Sequence, residues 1–279
     1  MGAEAEEQQN PPFQHVAALE EILGYRFRDR DLLAEAMTHP SYLLPEKSTV
    51  SYERLEFVGD AVLNCLMARE MFTSYPELAP GPLTKLRGVN VDTEKLARVA
   101  VKHQLHRYLR HKAPPLQGQI EDFMEAISDY PVHSSGLVDT PKFLADIVES
   151  LMGAVSIDCN YCLDTVWKHF KGLLEPVIRP DSFQKDPTSE LHEFCQKRGW
   201  KVKFVDTWEA NNTITVTIEG HSVGSATHPN RKDTTQKRAA KAALDNLKTS
   251  SSLHRLLERD KATKEIDNQA SVLGLEAGS

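Results

Sequence analysis

The chain has 279 residues, 40% hydrophobic and 7% aromatic, enough for one large domain or two ordinary ones. Its four cysteines exclude a small disulfide-stapled fold, and no apolar run approaches the roughly 20 residues a membrane helix needs. The start, MGAEAEEQQN, has neither a basic nor an apolar section, and Glu6 stands where a myristoylation signal has Ser or Thr. A soluble nuclear or cytoplasmic protein, with no membrane partner, is therefore expected. Charge is uneven. Residues 1–185 carry 19 basic and 27 acidic side chains, whereas residues 186–248 carry 10 basic and 8 acidic.

In chain order, residues 1–12 are polar and end in Pro11-Pro12, so disorder is expected there. Val16, Leu19, Ile22 and Leu23 recur at helical spacing before Gly24, and Leu32, Leu33, Ala36 and Met37 repeat the pattern up to Pro40. A long helix is expected from about Tyr52 to Tyr75, then a turn at Pro80-Gly81-Pro82 and a helix from Leu83 to about Asn90. Thr93 can cap a further helix carrying Leu96, Val99 and Ala100. Residues 111–140, rich in Pro, Gly, Ser and His, read mostly as a surface insertion. Thr140-Pro141 then starts a helix to about Ile157, and another is expected from Tyr161 to Glu175.

After Pro180 the pattern changes. Residues 181–187 read as a linker and Glu190–Lys197 as a helix. Lys201–Asp206, Thr213–Glu219 and His221–Ala226 are strand-like, and Arg231–Leu247 is an Ala-rich helix. That order is a small α+β (α-β-β-β-α) domain following an all-α one, a multi-domain architecture. Residues 249–279 read as a disordered tail.

Two helical segments carry acids in apolar surroundings. Glu53, Glu56 and Asp60 lie at i, i+3 and i+7 and share a helix face, and Asp146 and Glu149 lie at i, i+3 among Leu144, Ile147, Val148 and Leu151. Charges in such a helix are costly to bury unless they bind something. Three acids at fixed spacing arise about once by chance in so acidic a chain, so spacing alone decides nothing. Residue identity decides more. Glu53-Arg54-Leu55-Glu56-Phe57-Val58-Gly59-Asp60-Ala61-Val62-Leu63 resembles the ribonuclease III signature almost residue for residue. Thr38–Tyr42, Leu83–Arg87 and the second acidic motif, Leu144–Ala154, stand where that family has them. The resemblance covers roughly residues 15–176, and residues 181–248 resemble the double-stranded-RNA-binding domain that usually accompanies it. The combination is most similar to the plant ribonuclease III-like proteins.

The resemblance implies a ribonuclease III endonuclease domain over 13–178, including the 111–140 insertion. A linker over 179–186 and an RNA-binding domain over 187–248 follow. It implies Glu56, Asp60, Asp146 and Glu149 as metal ligands, with Asp60, Glu149 and Glu53 serving catalysis. Such hard oxygen ligands suit Mg²⁺ or Mn²⁺. The ions would activate a water and stabilise the leaving 3′ oxygen of double-stranded RNA, giving 5′-phosphate and 3′-hydroxyl ends with staggered cuts. It further implies a two-fold homodimer with Phe57 at the interface. In the C-terminal module, Glu190, Glu193, Arg231, Lys232, Lys237 and Arg238 are the implied RNA-contacting residues. Asp233 and Gln236 stand where lysines are common, Glu209-Ala210-Asn211-Asn212 replaces the usual strand 1–2 loop, and Pro80 replaces an acid. Cys159 and Cys162 form a C-x-x-C, but their spacing to His192 and Cys195 matches no compact zinc module. His39 reads as structural. The alternative function is a non-catalytic RNA-binding or regulatory partner that keeps the fold. Such relatives lose the acids, and all four are present here.

Overall fold

The computed structural model describes residues 15–43, 50–182, 185–251, 255, 257–259 and 262. The chain divides into two compact units, Met1–His133 with Thr140–Phe183, and Ser134–Asp139 with Gln184–Ser279. The expected disorder of residues 1–12 lies outside the described residues.

The first unit is helical: α1 (Val16–Leu23), α2 (Arg30–Ala36), α3 (Glu53–Ser74), α4 (Pro80–Asn90), α5 (Thr93–Lys102), α6 (Pro115–Ala126), α7 (Lys142–Asp158) and α8 (Leu163–Phe170). Gly24 closes α1 in the left-handed conformation, φ +62°, which costs glycine nothing. Helix α7 is the centre of this unit. Every one of its residues except Lys142, Glu149 and Ile157 is buried, which is why apolar residues occur on all of its faces. Its far end is tied down by Asp158, whose carboxylate accepts from the Tyr25 hydroxyl at 2.7 Å and the Asp29 amide at 2.8 Å.

Several expected boundaries move, each for a local reason. Pro80-Gly81-Pro82 is the first turn of α4 rather than a turn before it, because a proline at the first helical position needs no amide partner. Asp92, not Thr93, caps α5, accepting from the Lys95 amide at 2.8 Å. Helix α7 begins at Lys142 with Pro141 in the cap position, one residue later than expected. Helix α8 covers only Leu163–Phe170 of the expected 161–175. The 111–140 insertion contains a full helix, α6, with Leu116, Ile120 and Phe123 buried at i, i+4 and i+7.

In the second unit, α9 (Pro187–Gln196) and α11 (Lys232–Thr249) pack on a three-stranded antiparallel sheet. Its strands are β1 (Val202–Thr207), β2 (Thr213–Ile218) and β3 (His221–Thr227), in the order β1-β2-β3, with a short helical turn, α10 (Trp208–Asn211), between the first two. Alternation along β2 puts Ile214, Val216 and Ile218 into the core, each stabilising by about 1.5–3 kcal/mol. They meet Ala239, Ala240, Ala243 and Leu244 of α11. The alanines let the helix lie close: a Cβ built on Gly224 would fall 2.5 Å from the Ala243 amide nitrogen. Of the stretch expected to be a disordered tail, residues 263–279 lie outside the described set. Leu257, by contrast, is fully buried in this core, so the tail is not wholly apart from the domain.

Candidate metal centre

Helices α3 and α7 cross at glycines. A Cβ on Gly59 would fall 2.5 Å from the Glu149 carbonyl carbon, and one on Gly153 would fall 2.9 Å from the Leu55 carbonyl carbon. Only residues without a side chain allow backbones so near. The consequence is that the acids preceding each glycine, Glu56 on α3 and Asp146 and Glu149 on α7, converge. Glu56, Asp146 and Glu149 each bring a carboxylate oxygen within 4.8 Å of the others. They line a cleft of about 340 Å³ together with Glu53, Phe57, Asp60, Thr93, Lys142 and Ala145.

The remaining sequence-derived acids lie at its rim. Asp60 is exposed, and its carboxylate accepts from the Asn64 side-chain amide at 2.9 Å. Glu53, also exposed, accepts from the Ser51 hydroxyl at 2.8 Å. Both line the cleft, but neither belongs to the group of three.

Electrostatics favour a cation in this cleft. Burial pushes the Glu149 carboxyl up to about 7, and the neighbouring charges of Asp60, Asp146 and Glu56 push the same way, against Lys142. Burial also raises Asp146, with Glu56 adding to it, although hydrogen bonds from Lys142 and Tyr52 oppose the rise. Lys142 supplies positive charge to two of the three acids: its ammonium lies 2.6 Å from Glu56 and 2.5 Å from Asp146. Burial disfavours its charge, but those two carboxylates outweigh that and hold its pKa above the ordinary lysine value. The Tyr52 hydroxyl donates to Asp146 at 3.2 Å. Lys142 and Tyr52 were not among the residues singled out in the sequence; the signal available was the i, i+4 spacing of Lys142 to Asp146. A hard all-oxygen set carrying excess negative charge fits Mg²⁺ or Mn²⁺ in donor type.

His39 behaves as a structural residue. Its Nδ1 accepts from the Ser41 amide at 3.0 Å, and its ring packs edge-on against Tyr52 and Phe143. Cysteines and histidines do not gather at metal-binding distance among the described residues.

In the second unit the expected RNA contacts are all engaged by its own acids or bases. Lys232 pairs with Asp206, Lys237 with Asp186 at 3.5 Å, Lys185 with Glu193 at 2.5 Å, and Lys248 with Glu190 at 3.0 Å. Arg231 and Arg238 both face Asp139, at 3.7 and 3.9 Å.

An all-α domain with paired acidic motifs, followed by an α-β-β-β-α module, defines a two-part architecture. Residues 53–160 match the Ribonuclease III domain and residues 187–247 the Double-stranded RNA binding motif. The chain belongs to the ribonuclease III family. It is 56% identical over 234 residues to Ribonuclease 3-like protein 3 of Oryza sativa subsp. japonica, covering 84% of this chain and 78% of that protein. It is 40% identical over 258 residues to Endoribonuclease Dicer homolog 1 of the same organism, spanning 90% of this chain but 13% of that much longer protein. The nuclease domain of ribonuclease III from Campylobacter jejuni aligns at 27% identity and TM-score 0.47, over 58% of this chain and 97% of that one. No helix among the described residues is long and apolar enough to cross a membrane.

Proposed function

We propose that the protein is a divalent-metal-dependent endoribonuclease that hydrolyses double-stranded RNA to 5′-phosphate and 3′-hydroxyl ends. The convergence of Glu56, Asp146 and Glu149 on one open cleft, with Asp60 at its rim, carries this reading. Mg²⁺ or Mn²⁺, when bound, supplies charge that polarises the phosphodiester and acidifies the attacking water. The carboxylates of Glu56, Asp60, Asp146 and Glu149 would hold the ion, with Asp60 reaching it from the rim beside Glu149, and Tyr52 fixes the orientation of Asp146 through its hydroxyl. Glu53 stands at the mouth, where it can orient incoming RNA. Residues 187–247 bring the duplex, through phosphates and 2′-hydroxyls rather than base edges.

One such cleft cuts one strand, so staggered cuts call for two copies. Phe57, on α3 at the cleft's edge, is 79% exposed, and Phe72 on the same helix is 73% exposed. Large aromatic rings left in water on one helix support a second copy of this chain as the partner. The test is incubation of the purified protein with a long RNA duplex in Mg²⁺ or in EDTA. Short staggered fragments are expected only with metal, and none from Glu149→Gln, which still binds RNA. Equal cutting by Glu149→Gln would remove the site assignment.

A further inference from the structure

Part of the 111–140 insertion has an assignable role. Its segment Ser134–Asp139 belongs to the second unit, where it forms a tight turn. Ser135 and Gly136 have φ of +59° and +85°, and the Val138 amide donates to the Ser134 hydroxyl at 3.0 Å. Leu137 and Val138 are buried. Lys237 lies across Gly136, its Cδ only 2.8 Å from where a Cβ would stand. The Arg238 Nε donates to the Leu137 carbonyl at 2.9 Å.

The turn delivers the Asp139 carboxylate to a three-donor cluster. His228 Nε2 donates to Asp139 Oδ2. The direction of that bond follows from the other ring nitrogen: Nδ1 accepts from the amides of Asn230 at 3.2 Å and Arg231 at 3.0 Å, so the proton sits on Nε2. His228 Nε2 is thus already set to donate to an anionic oxygen. The Arg231 and Arg238 guanidinium groups flank the same carboxylate. An oxygen anion between two arginines and a histidine N–H, beside the first turn of α11, is the environment a phosphate seeks.

We propose that His228, Arg231 and Arg238 form one RNA-phosphate site and that Asp139 is its internal ligand, so a duplex must displace the Ser134–Asp139 strap to occupy it. The proposal rests on residues 187–247 binding double-stranded RNA. The basic residues that the module does carry are paired with the chain's own acids, Asp139 among them. The displacement has a cost in affinity, because a site open only about one-tenth of the time binds about tenfold more weakly.

The test uses the full chain in EDTA, with a fluorescein-labelled RNA duplex of about 30 base pairs, long enough for one binding module. Anisotropy compares wild type, Asp139→Asn, Arg238→Ala and the double variant. Asp139→Asn keeps the side chain's shape and removes its charge, so affinity should rise about three- to tenfold. Arg238→Ala should weaken binding and abolish that gain. Unchanged or weaker binding by Asp139→Asn, with Arg238→Ala still weakening, overturns the internal ligand but leaves RNA binding standing. No dependence on Arg238 in either background removes the phosphate site itself. Hydrogen exchange on the unmutated protein gives a second reading: RNA should speed exchange of the Val138 amide, and an unchanged rate overturns displacement.

Discussion

The Gly59 amide nitrogen lies so near Gly153 that a Cβ built on Gly153 would stand 3.2 Å from it. The two glycines set the separation of α3 and α7, and hence the spacing of the acids each helix carries. Gly59→Ala places a methyl group against the Glu149 backbone, which cannot swing aside as a side chain can. A loss of about 1–3 kcal/mol or more in urea unfolding is expected, with metal affinity falling alongside. Gly88→Ala in α4 is the matched control. Nothing lies within 4 Å of its Cβ position, so it should stabilise by about 0.4–1 kcal/mol through helix propensity and unfolded-state entropy. If both substitutions behaved alike, close helix approach would not be what holds the site.

Lys142 competes for the oxygens a cation needs. Its ammonium reaches Glu56 on α3 and Asp146 on α7, and its side chain is 68% exposed. Solvent screening keeps such a pair weak. Lys142→Met should therefore raise Mn²⁺ affinity by about two- to fivefold, the equivalent of a surface ion pair. Calorimetric titration with MnCl₂ measures it. Weaker Mn²⁺ binding by the variant would mean that the lysine organises the carboxylates instead of occupying them.

The helices of the first unit were legible because their apolar periodicity and stop residues are local signals. Val16–Leu23 before Gly24 and the long α3 emerge with bounds within a residue or so of those expected. The C-terminal α-β-β-β-α order was legible for the same reason, since β2 alternates strictly. What escaped was set by tertiary contacts. Helix α6 hides behind Pro114, Pro115 and Gly118, and its Leu116, Ile120 and Phe123 become a stripe only once there is a core to receive them. The acids could be named from their motifs, yet their division into three gathered carboxylates and Asp60 and Glu53 at the rim depends on how α3 crosses α7. Lys142 offered only its i, i+4 spacing to Asp146, and Asp139 offered nothing, because Glu56 and the His228, Arg231 and Arg238 cluster lie far from them in sequence.

Phe57 lies beside the cleft with most of its ring in water. In the proposed dimer this ring is the aromatic anchor, and its truncation should cost about 2 kcal/mol or more of association free energy. Sedimentation velocity at micromolar concentration should show wild-type dimers and a shift of Phe57→Ala towards monomer, with duplex cleavage falling in parallel. An intact Phe57→Ala dimer would assign the ring to some other contact.

Glu149 gives the metal-free protein a pH signature of definite sign. Its carboxyl is held near 7 by burial first, then by Asp60, Asp146 and Glu56, with only Lys142 opposing. An unfolded glutamate titrates near 4.3. Between those values the folded chain keeps a proton that the unfolded chain has lost, so stability falls as pH rises. The stabilising contribution is complete below about pH 4 and gone above about pH 7. Glu149→Gln cannot ionise and should lack this component. In EDTA, its melting temperature relative to wild type should climb from pH 5 to pH 8, and saturating Mn²⁺ should reverse the order at the upper end by stabilising only the wild type. A difference that stays constant across that range would show that Glu149 feels no excess of negative charge, and the carboxylate cluster would then be too loose to demand a cation.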